Sequence, residues 1–163
     1  MPASQPPLFV PPVAAEGAAV AVTPTLVLDT NVVLGWVVFR DPRCQAWVNA
    51  VEGGAVRWVG TAWMREEFGH MLGHSSLAKW SPKLERALTF FDHWCSLQVV
   101  PPPCHLRCTD PDDQVFADLA VHAGAKWLLT HDRALLKMRR RLGLKGVAVM
   151  PPDHWPAPAM PAS

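Results

Sequence analysis

Thr25-Leu26-Val27-Leu28-Asp29 is the stretch on which the fold turns. Four residues, apolar after Thr25 and with β-branched content, suit a strand buried on both faces, as the strands of a parallel sheet are. A carboxylate ends the run. Working outward, strand and helix signals alternate. Asp41-Pro42 supplies an N-cap and an N1 proline for a helix that Gly53-Gly54 stops. Ala55 to Val59 reads as a second strand, and Thr61 caps a helix that runs to Leu72. Ser81-Pro82 repeats the cap-plus-proline pattern ahead of Leu84, Leu88, Phe91 and Trp94, and Leu97–Val100 is a brief strand. Asp110-Pro111 opens a helix that Gly124 ends. Trp127–Thr130 is a strand, Arg133–Arg141 a basic helix and Val147–Val149 a last strand. This alternation predicts an α/β domain: a parallel sheet covered by helices on both sides.

The 163 residues suit one domain. Residues 1–24, rich in Pro, Ala and Val, read as a flexible tail, and 154–163 as a proline-rich one, leaving 25–153 as the folded unit. Half the residues are hydrophobic and the formal net charge is only +1, so composition selects no partner. The most apolar region, Val20 to Phe39, contains Pro24, Asp29 and Asn31, which argues against a membrane span. Met1–Gln5 lacks a basic stretch ahead of an apolar core, so a cytoplasmic location is expected. His93, Cys95, Cys104 and Cys108 form no paired C-x-x-C knuckle. Pro101–Pro103 stiffens the link between them, and the thiols read as buried or incidental rather than zinc-binding.

In an open parallel sheet, ligands bind at the carboxyl ends of the strands. Asp29 directly follows the first strand and Asp132 follows Trp127–Thr130, so both belong on that rim. Two carboxylates sharing a rim repel unless a cation or proton lies between them. On the helix after Thr61, Met64, Phe68, Met71 and Leu72 mark a buried stripe. Glu66 points away from it and Glu67 lies at its border, so geometry favours Glu67. On the helix after Asp110-Pro111, periodicity does not separate Asp112 from Asp113. Singly, each acid is explained by a cap, a helix dipole or a solvated face. Their combination carries the signal.

Leu26-Val27-Leu28-Asp29-Thr30-Asn31 resembles the opening strand and Asp-Thr-Asn signature of PIN domains. Glu66-Glu67-Phe68 with Met71-Leu72 resembles that family's central Glu-bearing helix. Asp110 to Asp113, followed by Phe116, Leu119-Ala120, Gly124-Ala125 and Leu129-Thr130-His131-Asp132, resembles its second half. The likeness extends from about Leu26 to Asp153 and is nearest the branch that supplies toxins of toxin–antitoxin pairs. It implies a three-layer α/β/α fold with a central parallel sheet of four to five strands. It further implies a ribonuclease whose catalytic and metal-ligating acids are Asp29, Glu67, Asp113 and Asp132. Alignment on Gly124-Ala125 selects Asp113 over Asp112. Thr30, Asn31 and Thr130 become supporting polar groups.

Hard oxygen donors select Mg²⁺ or Mn²⁺. RNA is the implied substrate, with an antitoxin protein and a homodimer as the implied partners. Arg133, Lys137, Arg139 and Arg140 read either as the basic flank of an RNA groove or as a solvated helix face. Trp36, Trp63 and Trp80 read as core or as base-stacking residues. Two alternatives stay open: a binding module on the same fold without activity of its own, and a housekeeping RNA-processing nuclease. A haloacid-dehalogenase-like phosphatase fits poorly, because Asn31 stands where its second Asp belongs.

Overall fold

The computed structural model describes residues 22–160. Thr25–Leu28 forms β1, and β2 (Arg57–Thr61), β3 (Ser96–Gln98), β4 (Trp127–Leu129) and β5 (Ala148–Met150) join it in one sheet of order β3-β2-β1-β4-β5. Every pairing is parallel. Alternate side chains of a strand face opposite ways, and the sequence exploits this. Leu26, Leu28, Trp58, Trp127 and Leu129 pack into one core, while Val27, Val59 and Leu128 pack into the other. The first core is closed by α1 (Thr30–Val37), α2 (Gln45–Glu52), α3 (Ala62–Leu72) and α4 (Leu84–Trp94). The second is closed by α5 (Gln114–His122), α6 (Arg133–Leu136) and α7 (Arg139–Gly143). The result is the expected three-layer α/β/α arrangement around five parallel strands. Among the described residues no helix is long and apolar enough to cross a membrane.

Most predicted helix starts hold because their caps form. Thr61 Oγ1 accepts from the Met64 amide, and Asp41 accepts from the Arg43 amide. Gly124 turns the chain after α5 with φ +62°, a left-handed conformation that glycine adopts without steric cost. Ser81-Pro82 departs from the reading. Ser81 is itself left-handed (φ 44°) and closes a 3₁₀ turn over Ser75–Trp80, so α4 starts later, at Leu84. The basic helix is two short helices, broken at Lys137–Met138 where Met138 is drawn fully into the core. A further helix that the reading lacked, α1, follows β1 without a loop.

The expected N-terminal tail, residues 1–24, lies outside the described residues except for Val22–Pro24, which join no regular element. The expected C-terminal tail starts against the body. Trp155 is 6% exposed and meets Trp127 edge-on, with ring centroids 5.3 Å apart.

Candidate active site

Strand order reverses between β2 and β4 around β1, so the crevice at the carboxyl ends of β1 and β4 is the switch point of the sheet. Leu28 pairs with Leu129 across these strands, which places the next residues side by side. The Asp29 amide donates to the Leu129 carbonyl at 3.0 Å, and Thr130 Oγ1 donates to Asp29 Oδ2 at 2.7 Å. The same Thr130 oxygen accepts from the Asp132 amide at 2.9 Å. One buried hydroxyl therefore ties the acid after β1 to the turn that carries the acid after β4.

Asp29 is only 4% exposed. Burial pushes its carboxyl above the usual aspartate range, and the Asp132 charge adds to this. The Thr130 hydroxyl and the nearby amides of Asn31 and Thr30 pull the other way. Thr30, buried at the start of α1, donates through Oγ1 to Glu67 Oε2 at 2.6 Å. Packing of α1 on α3 makes this bond possible. Glu67 is half-buried while Glu66 is exposed, as the helical stripe required. Burial raises the Glu67 carboxyl, opposed by the Thr30 bond and reinforced by the charges of Asp29 and Asp112.

The structure separates the two acids that periodicity left together. Asp110 caps a 3₁₀ turn over Pro111–Asp113, its Oδ1 accepting from the Asp112 amide at 3.0 Å. That tight turn leaves Asp112 exposed and turns Asp113 inward. Burial, then the charges of Asp132 and Asp29, push the Asp113 carboxyl up to about 7. Among the described residues no donor reaches its buried Oδ2, and the carboxyl's hydrogen bond with the Asp132 carboxyl adds to the rise. Asp132 is half-buried and caps α6, Oδ1 accepting from the Ala134 amide at 2.7 Å.

Asp29, Glu67, Asp113 and Asp132 are thus brought to one crevice, linked by mutual charge and by two threonine hydroxyls. Asn31 is exposed at its edge. Among the described residues, no salt bridge from Lys, Arg or His reaches any of the four acids. Nor are three His, Cys, Asp or Glu side chains already gathered to hold a metal ion. Asp29, Glu67 and Asp132 each have one oxygen engaged by a protein donor, which orients the carboxylate and leaves its other oxygen for a ligand. The donor set fits a hard divalent cation. It is all oxygen, is salt-bridged to no Lys, Arg or His among the described residues and includes the Asp113 Oδ2 that no donor reaches. A buried polar atom without a partner is costly, and a cation relieves it.

Arg133, Lys137, Arg139 and Arg140 are exposed and line a shallow hollow of about 500 Å³ with Leu136, on the layer that carries Asp132. The aromatic residues divide. Trp63 and Trp80 are exposed and Trp36 half-buried, whereas Trp47 and Trp58 are core. The sequence reading gave Thr30 and Thr130 only a general supporting role, through the resemblance. Their specific tie to Glu67 and Asp29 depends on helix packing and strand register, which no local pattern displays.

The acids gather at the switch point of a parallel sheet, where open α/β proteins bind their ligands. A PIN-domain family model matches residues 25–134, and the chain belongs to the PIN-domain family. PIN domains are generally nucleases, and such nucleases typically use divalent metals. No curated protein matches the chain.

Proposed function

We propose that the protein is a metal-dependent endoribonuclease that hydrolyses RNA phosphodiester bonds at the Asp29–Glu67–Asp113–Asp132 crevice. The observation that carries this reading is four acids salt-bridged to no Lys, Arg or His among the described residues, together with the Asp113 oxygen that no donor reaches. Asp29 and Asp113 are the principal ligands for Mg²⁺ or Mn²⁺, and Asp132 completes the set. A divalent cation held there stabilises charge on the attacking and leaving oxygens of a phosphodiester.

The remaining work belongs to the chain. Thr130 holds Asp29 in place, and Thr30 holds the Glu67 carboxylate at the crevice. Glu67 orients the attacking water and takes its proton; the bond from the water oxygen to phosphorus forms as the bond to the leaving oxygen breaks, and the leaving oxygen takes a proton from solvent. The exposed arginines and Lys137 beside Asp132 attract the substrate backbone, with affinity that falls as salt rises.

Cleavage of a mixed-structure RNA by the purified protein, in Mn²⁺ and in EDTA, tests the reading. Metal-dependent cutting that Asp29→Asn reduces by about a hundredfold or more is expected. Cutting that survives EDTA or the substitution overturns it. Service as a toxin, with an antitoxin and a homodimer as partners, is the narrower proposal that the resemblance adds. A short neighbouring reading frame whose product suppresses the cleavage is its test.

A further inference from the structure

A second cavity, of about 420 Å³, opens at the far end of α1 from the acids. Its volume is in the range of small-ligand sites. Trp36 of α1, Trp80 at the end of the 3₁₀ turn and Phe90 of α4 supply aromatic walls, and Arg40, Lys83 and Arg86 supply charge. Among the described residues, none that lines it is acidic and none of the three cations is engaged in a salt bridge. The Arg40 guanidinium lies over the Trp36 ring, 4.9 Å from its centroid. Phe39 meets Trp80 edge-on at 4.8 Å, which steadies a ring that is 48% exposed.

Arg40 and Ser81, both lining the cavity, adopt left-handed φ values (49° and 44°) without being glycine. Such strain persists where the surroundings enforce it and is common at ligand clamps. Aromatic faces beside uncompensated cations suit a flat π-system that carries negative charge, which describes a nucleobase with its phosphate. An apolar peptide would leave the three cations unanswered. The helix joining the cavity to Thr30 has eight residues, which spans about 12 Å.

We propose that this cavity is a subsite for one nucleotide of a single-stranded RNA whose scissile bond lies at the four acids. The base stacks on Trp80 and Trp36, and its phosphate rests on Arg40, Lys83 and Arg86. The identity of the strand rests on the nuclease reading, so binding is measured apart from cleavage. Fluorescence anisotropy of a labelled single-stranded RNA, with EDTA present, compares the full chain with Trp80→Ala, Trp80→Phe and Arg86→Ala. Both positions are exposed, so the fold tolerates the changes.

Trp80→Ala weakens binding on the order of tenfold and Trp80→Phe restores most of it. Arg86→Ala weakens binding and lowers the salt slope by about one. Cleavage of a dinucleotide, too short to reach the cavity, is unchanged in these variants while KM for long RNA rises. RNA binding that is absent from the wild type, or equal in all four proteins, overturns the proposal. So does adenosine monophosphate competing as tightly as RNA, which would make this a free-nucleotide site. Variants that lose polyglutamate binding but keep RNA would make it a protein-docking site instead. Pocket-dependent binding without any cleavage sinks the nuclease reading and leaves the RNA subsite standing.

Discussion

Replacing Asp113 with Asn is expected to stabilise the ion-free protein at and above neutral pH. The Asp113 carboxyl rises from an ordinary value of 3.8 to about 7 because it is partly buried and faces Asp132 and Asp29. The folded chain therefore binds this proton more tightly than the unfolded chain does. The stability it contributes is fully present below the unfolded value and is lost as pH climbs through about 7. At 1.36 kcal/mol per unit the ceiling is about 4 kcal/mol. Solvent reaches much of the side chain, and screening brings the expected effect down to about 1–2 kcal/mol. Asparagine carries no charge to lose, and its amide offers a donor where the carboxyl held its proton. Urea denaturation in EDTA at about pH 4 and about pH 8 measures the difference. The variant gains at the higher pH and matches the wild type at the lower. Added Mn²⁺ narrows the gap by stabilising the wild type more. A variant no more stable at the higher pH, or equally favoured at both, refutes the electrostatic account.

Further outcomes follow from single contacts. Thr130→Val removes the bond to Asp29 Oδ2 and the acceptor for the Asp132 amide, costing about 2 kcal/mol in urea denaturation, whereas Thr130→Ser keeps most of it. A Cβ at Gly60 would lie 2.8 Å from Cys95 Sγ, so Gly60→Ala costs about 1–3 kcal/mol. The double change with Cys95→Ala recovers part of that, as a double-mutant cycle reads directly. Ending the chain after Asp153 removes buried Trp155 from Trp127 and lowers stability by about 3 kcal/mol, the low end for a tryptophan because its indole N–H has no partner, as a thermal melt would show.

What the sequence displayed well were features written in one place. Thr25–Leu28, Trp127–Leu129 and the caps at Asp41, Thr61 and Asp110 carry local chemistry, and each forms. Glu67 over Glu66 followed from helical spacing alone. α1 escaped because Val32, Val33 and Val37 are β-branched and give the segment weak helix propensity, while tertiary packing on α3 favours the helix. The break at Lys137–Met138 answers to the second core, which pulls Met138 inward against an otherwise basic surface run. Asp112 and Asp113 could be separated from within only by the 3₁₀ turn, since that turn shifts side-chain direction relative to α-helical spacing. Bonds such as Thr30 to Glu67 join residues far apart in the chain and have no local signature.

The claim that these four acids form one cation site is tested most directly by Mn²⁺ titration of the full chain. Wild type is expected to bind the ion, Asp29→Asn and Asp113→Asn each to lose that binding, and exposed Glu66→Gln to keep it. No Mn²⁺ binding by wild type, or binding that both aspartate substitutions leave intact, contradicts the account.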